Sequence, residues 1–125
     1  MSQILITEDS GFQRTILKRI LQNAGYTPME AISGREALRK IEEHQPRLIL
    51  LDLLMPDIDG FQVLKVLKSK HNTIPVVVVT ADVQDTTRDE CLNLGVAQVL
   101  NKPVDEHKLL EVIDGILNPE KGSVE

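Results

Sequence analysis

The segment on which the predicted fold rests is Leu48-Ile49-Leu50-Leu51-Asp52, in which four bulky aliphatic residues end at a carboxylate. Pro46 precedes this run, and the loop at 53–60, which contains Pro, Asp and Gly, follows it. A short apolar run bounded in this way is typical of a strand that is buried on both faces. A charged residue is unusual at the last position of such a strand. We therefore expect Asp52 to be functional and the other elements to position it.

Four further strands are predicted from similar short runs, at 4–7, 26–31, 75–79 and 96–100. The run at 75–79 resembles the one at 48–51, because it too is almost wholly apolar and reaches a polar residue, Thr80. Pro28 has no N–H to donate to a neighbouring strand, so the second strand is expected at an edge of the sheet.

A helical pattern follows every predicted strand. Three of the helices begin with a capping pattern, in which Ser or Asp is followed three residues later by Gln or Glu: Ser10 with Gln13, Ser33 with Glu36, and Asp59 with Gln62. Gly25 stands where a glycine commonly ends a helix. The expected inner face of the third helix carries Phe61, Leu64 and Leu67. The fourth helix, at about 83–94, has the least regular apolar stripe, and the fifth covers about 105–117.

Strands that alternate with helices, with no long linkers, predict an α/β fold. Strands that are apolar on both faces indicate a parallel sheet covered by helices on each side. We therefore predict a doubly wound, five-stranded parallel sheet in the order 2-1-3-4-5, with the proline-containing strand at one edge. In such sheets, ligands bind beyond the carboxyl ends of the strands, where the strand order reverses.

Composition limits the class of protein. The 125 residues are 42% hydrophobic and 26% charged, and the net charge is −5. We expect a single domain over 1–125, with a core at about 3–117, a loose polar tail at 118–125 and no effector domain. The acidic balance argues against a nucleic-acid surface, which needs a basic patch. No signal peptide or membrane span is expected. The single cysteine, Cys91, permits no internal disulfide, which favours the cytoplasm, and it is expected to be a buried hydrophobic residue.

The polar residues with chemical potential all follow predicted strands. Glu8 and Asp9 follow the first strand, Asp52 ends the third, Thr80 ends the fourth and Lys102 follows the fifth. Because the carboxyl ends of parallel strands meet at one edge of the sheet, these side chains are expected to lie close together. The reversal point falls between the first and third strands, where it brings the three carboxylates into one crevice.

Three carboxylates in one crevice need compensating positive charge, because like charges raise one another's pKa. Lys102 supplies one cation. A divalent metal would supply more, and a site of oxygen ligands favours Mg²⁺, Mn²⁺ or Ca²⁺ over zinc. Mg²⁺ fits best, with Mn²⁺ as an alternative. A carboxylate beside a metal, a lysine and a hydroxyl is suited to forming an acyl phosphate, and Asp52 is the best candidate nucleophile.

Lys102-Pro103 adds a conformational prediction. Proline restricts the residue before it to extended conformations, and X-Pro bonds are the ones that adopt the cis form. A cis bond here would direct the Lys102 side chain over the crevice. A trans proline that simply precedes the last helix is the other interpretation.

Nearly the whole chain resembles the receiver domain of two-component response regulators, the CheY-like family with its flavodoxin-like (βα)5 fold. The resemblance rests on these motifs: Glu8-Asp9, Asp52 with Met55-Pro56 and Asp59-Gly60, Thr80-Ala81, and Lys102-Pro103. It implies a phosphorylation switch, in which Asp52 accepts a phosphoryl group from a phosphohistidine of a sensor histidine kinase or a histidine phosphotransfer protein. Such a protein is not a conventional enzyme, since it catalyses only its own phosphorylation and dephosphorylation.

The resemblance also implies roles for individual residues. Asp9 and Asp52 would bind Mg²⁺ directly, Glu8 largely through water, and the backbone carbonyl of Leu54 would complete the protein ligands. Lys102 and the Thr80 hydroxyl would bind the phosphoryl oxygens. Inward movement of Thr80 would then remodel the face formed by helix 4, strand 5 and helix 5, where a downstream protein binds. Ala81 and Pro103 belong to the same signalling motifs, and a phosphorylation-dependent dimer is left open.

The sequence departs from the family pattern three positions before the lysine, where Tyr or Phe is common and Val99 stands here. An aromatic side chain that changes orientation with Thr80 is therefore absent, so the signal must travel through backbone and helix shifts or be weaker. Leu54 and Asp82 flank the approach to the phosphoryl group. In the family these positions tune dephosphorylation.

Two other classes of protein share some of these features. A phosphohydrolase of the haloacid dehalogenase kind needs a second Asp two residues after its nucleophile, where this chain has Leu54. It also needs a substrate cap, for which 125 residues are too few. A flavodoxin-like cofactor-binding protein needs a phosphate loop after the first strand, where Glu8 and Asp9 would repel phosphate. A regulator that acts alone and a receiver cut from a larger regulator both remain open.

Overall fold

The computed structural model of the protein describes residues 2–119, so residues 120–125 of the predicted loose tail lie outside it. Strands and helices alternate along this range. The strands are β1 (Gln3–Thr7), β2 (Thr27–Ala31), β3 (Leu48–Leu51), β4 (Val76–Thr80) and β5 (Gln98–Asn101). The helices are α1 (Gly11–Asn23), α2 (Gly34–His44), α3 (Gly60–Ser69), α4 (Asp85–Asn93) and α5 (Glu106–Leu117).

The five strands form one parallel sheet in the order β2-β1-β3-β4-β5, which confirms the predicted fold class and strand order. The strand that contains Pro28 lies at an edge, as its missing N–H donor requires. Thr7 of β1 is paired with Leu51 of β3, and Leu51 is paired with Val78 of β4. This register makes Glu8 and Asp52 the next residues on neighbouring strands.

The sheet separates two apolar cores, because successive side chains of a strand point to opposite faces. In β3, Leu48 and Leu50 pack with residues of α1 and α5, whereas Ile49 and Leu51 pack with residues of α2, α3 and α4. All four side chains are at most 1% exposed. Burying an aliphatic side chain of this size contributes roughly 1.5–3 kcal/mol. Cys91 is fully buried in the α2–α3–α4 core, as predicted.

The three predicted caps are present, but only one is reciprocal. Ser10, Ser33 and Asp59 each accept a hydrogen bond from the backbone N–H three residues later. Only Gln62 completes a reciprocal pair, because its Oε1 accepts from the N–H of Asp59 at 3.0 Å. Glu36 accepts from the N–H of Ile32 instead, and the N–H of Ser10 donates to Glu8. The N-terminus of α1 is therefore joined directly to the cluster of acids that ends β1.

Two strands begin later than predicted, because the backbone N–H of the first predicted strand residue donates a hydrogen bond to the preceding helix end. β2 begins at Thr27, since the N–H of Tyr26 donates to Leu21 in the last turn of α1. β5 begins at Gln98, since the N–H of Val96 donates to Cys91 at the end of α4.

Gly25 adopts φ 90°, the conformation expected of a glycine that ends a helix. On α3, Leu64 and Leu67 are buried as predicted, whereas Phe61 is only partly buried and Val63, which was not predicted, is fully buried.

None of the helices within residues 2–119 combines the length and apolar character that a membrane crossing demands.

Candidate functional site

Three acidic residues meet at the carboxyl end of the sheet. Glu8, Asp9 and Asp52 each place a carboxylate oxygen within 4.8 Å of the others. The β1–β3 register produces this arrangement, and the N–H of Asp52 donates to the carbonyl of Thr7 at 3.0 Å. Glu8 and Asp52 are buried, at 2% and 7% exposure, whereas Asp9 is exposed. The predicted meeting of the three carboxylates is confirmed.

Lys102 reaches the same cluster from the end of β5. Its Nζ donates to Oε1 of Glu8 at 2.6 Å and to Oδ2 of Asp52 at 3.2 Å. The peptide bond between Lys102 and Pro103 is cis, so the cis alternative is confirmed. The N–H of Lys102 also donates to the carbonyl of Thr80, at 2.8 Å. The side chain is 18% exposed. Its ammonium group therefore joins two acids that come from different strands.

The ionisation of this cluster follows from burial and charge pairing. Burial raises the pKa of Glu8 above its ordinary value, and this effect outweighs the hydrogen bonds from Lys102 and from the N–H of Ser10. Burial alone would lower the pKa of Lys102, but the bond to Glu8 and the charge of Asp52 raise it above its ordinary value. The lysine is consequently held as a cation at neutral pH.

The carboxylate cluster fits a hard divalent cation. Its three oxygen donors lie close enough to share one ion, and oxygen is the ligand that Mg²⁺ and Mn²⁺ prefer. Asp9 is open to solvent, which leaves room for the waters that Mg²⁺ retains. The N–H of Leu54 donates to Oδ1 of Asp52 at 3.4 Å, so the backbone at Leu54 borders the site. Metal binding by the Leu54 carbonyl stays a prediction.

Thr80 lies at the end of β4 and is 1% exposed. Its hydroxyl accepts a hydrogen bond from the N–H of Asp82 at 3.1 Å. The carboxylate of Asp82 in turn accepts from Thr87 of α4 at 2.7 Å, and Asn101 donates to the Asp82 carbonyl at 3.0 Å. These bonds connect the strand end to the first turn of α4. Ala81 is exposed between the two.

Val99 is buried at 4% exposure and is paired with Val78 in the sheet. It packs in the same core as Cys91 of α4, and its carbonyl accepts a hydrogen bond from Arg88 of α4 at 3.3 Å. A hydrogen bond from a side chain of α4 to the backbone of β5 is therefore present at the position where the family pattern often has an aromatic residue.

Sequence reasoning missed two residues, one that binds the acidic loop and one in the loop that follows Asp52. Arg14 donates to the carbonyls of Glu8 and Asp9. Asp57 accepts from the N–H groups of Gly34 and Arg35, at 3.0 and 2.9 Å, and so joins the loop after β3 to the N-terminus of α2. These bonds from backbone N–H groups lower the pKa of Asp57 to about 2, although partial burial acts in the opposite direction. Neither residue stands in a recognisable motif; an Arg in the first turn after two acids is the one available signal.

Comparison with known proteins agrees with this geometry. Residues 4–114 match the model of the response regulator receiver domain family, and the chain belongs to that family. It is 33% identical to the protein PilH of Pseudomonas aeruginosa, over 94% of this chain and 98% of PilH. It is 32% identical to the chemotaxis protein CheY of Bacillus subtilis, over 93% of this chain and 98% of CheY.

A solved structure gives the same result. The chemotaxis protein CheY4 of Vibrio cholerae superposes with a TM-score of 0.85 at 29% identity, over 93% of this chain and 98% of CheY4. The protein is thus a receiver domain of two-component signalling, a family whose members signal by phosphorylation. Receiver domains work with sensor kinases and, in larger regulators, with effector domains.

Proposed function

We propose that the protein is a signalling switch in which Asp52 accepts a phosphoryl group from a phosphohistidine, in a step that depends on Mg²⁺. The observation that carries the proposal is the position of Lys102, whose Nζ lies 3.2 Å from Oδ2 of Asp52. Asp52 therefore has as neighbours both a cation and the carboxylates of Glu8 and Asp9, which could hold a metal ion. This is the charge distribution that a transferring phosphoryl group requires.

Each residue of the site has a distinct role in the phosphoryl transfer. A carboxylate oxygen of Asp52 forms a bond to phosphorus while the bond from phosphorus to the imidazole nitrogen of the donor breaks, and the nitrogen keeps the electron pair. Lys102 is already held as a cation and donates to a phosphoryl oxygen, for which it exchanges its bond to Asp52. Glu8, Asp9 and Asp52, with the Leu54 carbonyl, would hold Mg²⁺. The ion supplies positive charge to the phosphoryl oxygens when it is bound.

Signal output starts at Thr80. Its hydroxyl is bound to the N–H of Asp82, which must be exchanged when the hydroxyl turns towards a phosphoryl oxygen. Asp82 and Asn101 link this movement to the start of α4 and the end of β5. We infer an output face on α4, β5 and α5, with Ala81, Val99 and Pro103 at its base. Val99 transmits the change through its backbone bond to Arg88 rather than through an aromatic side chain.

The setting of the switch follows from its class. The donor is a sensor histidine kinase or a histidine phosphotransfer protein in the cytoplasm, and the output is contact with a downstream protein. The net charge of −5 disfavours direct nucleic-acid binding by this domain. The protein turns over only its own aspartyl phosphate and is not a conventional enzyme.

The test is phosphorylation by a small phosphodonor such as acetyl phosphate, with and without Mg²⁺. We expect an acid-stable adduct that hydroxylamine releases, in amounts that depend on Mg²⁺. Asp52→Asn should abolish it. Asp59→Asn is the matched control, because it removes an acid from the same loop while Asn preserves the helix cap.

Label that persists in Asp52→Asn would contradict the assignment. Continuous release of phosphate from diverse phosphomonoesters would instead identify a hydrolase.

A further inference from the structure

The side chain of Arg14, in the first turn of α1, holds the loop between β1 and α1 through hydrogen bonds. Its Nη1 donates to the carbonyl of Glu8 at 2.9 Å and to the carbonyl of Asp9 at 3.1 Å. Its Nε donates to Oε1 of Glu30 at 3.2 Å. The side chain is only 19% exposed, so water competes little for its hydrogen bonds. One guanidinium thus binds the backbone of two consecutive residues that belong to the acidic cluster.

This contact fixes the direction of two carboxylates. When the carbonyls of Glu8 and Asp9 are both held, the peptide groups that follow the two residues cannot rotate. The N–H of Glu8 is bound as well, to the carbonyl of Ala31 at 3.1 Å. The Cα–Cβ bonds of both acids consequently keep their direction towards Asp52. Without Arg14, the carbonyl of Asp9, in an exposed residue, would lose its side-chain anchor.

Glu30 holds the guanidinium in place from the neighbouring strand. Its Oε1 accepts from Arg14, and its Oε2 accepts from Nζ of Lys18 at 3.1 Å. Glu30 belongs to β2 and is paired with Ile6 of β1. The anchor for the acidic loop is therefore part of the sheet. The carboxylate of Glu30 also balances part of the charge of Arg14, which would otherwise repel a cation in the crevice.

We propose that Arg14 is a positioning residue for the cation site: it holds the backbone of Glu8 and Asp9 so that both carboxylates face one ion together with Asp52. This inference rests on the proposed function, since it assigns a role within the same site. Arg14 touches neither the ion nor the phosphoryl group. Its effect passes through the two carbonyls.

A positioning role and a purely electrostatic role predict opposite changes in cation affinity when Arg14 is removed. A guanidinium that acted only through its charge would repel the divalent ion, so removing it would tighten binding. Loss of positioning should weaken binding, by about 10-fold, the lower end of the range for lost partners of metal ligands. The direction of the change therefore separates the two roles.

The experiment titrates the full chain with Mn²⁺, followed by electron paramagnetic resonance, and with Mg²⁺ in competition. Arg14→Gln is expected to raise the Kd for both ions about 10-fold. Lys18→Gln is the matched control, because it removes the same charge from the same carboxylate but contacts neither carbonyl; its Kd should stay the same or fall. Arg14→Lys should not restore binding, since one ammonium cannot replace a fork that spans three acceptors.

Folding is checked by thermal unfolding without metal, and Glu30→Gln is a milder variant that keeps Arg14 but weakens its anchor, because a neutral amide oxygen accepts less strongly than a carboxylate. Glu30→Gln should raise the Kd in the same direction as Arg14→Gln. An unchanged or lower Kd in folded Arg14→Gln, or full rescue by Arg14→Lys, overturns the inference. Wild-type protein that neither binds Mn²⁺ nor forms the adduct at Asp52 would instead refute the proposed function.

Discussion

Tyr26 is the one tyrosine of the chain, which has no tryptophan, so its ionisation can be followed by absorbance without interference. Its hydroxyl donates to the carboxylate of Asp114 on α5. Partial burial and this neighbouring carboxylate both disfavour the phenolate, and they raise the pKa of Tyr26 to about 12. The contact joins the segment that follows α1 to the last turn of α5, on the face of the sheet that α1 and α5 cover.

Ionisation of Tyr26 is expected late in an alkaline titration. At pH 11, about a tenth of the phenol should be ionised, compared with about nine tenths for an unperturbed tyrosine. Because its pKa is raised in the folded state, the stabilisation that Tyr26 provides is complete below pH 10 and lost as the pH rises through about 12. The measurement is absorbance at alkaline pH, with circular dichroism to confirm folding.

Asp114→Asn is the control for the Tyr26 titration, and it should move the midpoint down towards the ordinary value for tyrosine. A midpoint near that ordinary value in the folded wild-type protein would show that the contact with Asp114 is absent in solution.

Two glycines within helices occupy contrasting surroundings. A Cβ at Gly34, in the first turn of α2, would lie 2.5 Å from Cγ1 of Ile58 and 2.7 Å from the carbonyl oxygen of Ile58. A Cβ at Gly115, in α5, would meet nothing within 4 Å. Helix α2 therefore depends on Gly34 for its close approach to the loop after β3. That loop also supplies Asp57 to the same helix end.

Alanine should consequently have opposite effects at these two positions. Gly115→Ala is expected to stabilise the protein by up to about 1 kcal/mol, the difference in helix propensity. Gly34→Ala should destabilise it by about 1–3 kcal/mol, because the backbone of Ile58 must move. Urea unfolding of both variants measures the free energy of unfolding. Equal effects of the two substitutions would show that the loop after β3 does not pack on α2 as described.

The acidic cluster, which could hold a metal ion, would link folding of the entire domain to cation binding. Glu8, Asp9 and Asp52 come from two strand ends, so the site exists only when the sheet is formed. A ligand that binds only the folded state stabilises it by mass action. A bound cation would also reduce the repulsion among the carboxylates, which Lys102 balances in part.

Mg²⁺ should therefore raise the melting temperature. At ten times its Kd, the free energy of unfolding should increase by about 1.4 kcal/mol. Removal of the ion with a chelator should reverse the change. Asp9→Asn should lose most of it, whereas Asp85→Asn, in the first turn of α4, should keep it. The measurement is thermal unfolding at constant ionic strength; an equal rise in both variants would indicate a general salt effect.

The alternation of apolar runs and helical patterns was sufficient to predict the parallel sheet, its strand order and the meeting of Glu8, Asp9 and Asp52. These features depend on burial and on chain connectivity, and both can be inferred from the pattern of apolar residues and the order of the elements. Helix ends were less predictable. Tyr26 and Val96 were assigned to strands by their side chains, but their N–H groups complete helix ends.

The sequence indicated little of how the site is held in place. Glu30 of β2 binds Arg14, and Asp57 binds the N-terminus of α2; only the packing of α1 on β2, and of the loop after β3 on α2, brings these distant groups together. The sequence specified which groups stand at the strand ends, because hydrophobic periodicity fixes where each strand stops. The tertiary structure alone determined their orientation, because side-chain to backbone hydrogen bonds between distant segments leave no periodic trace.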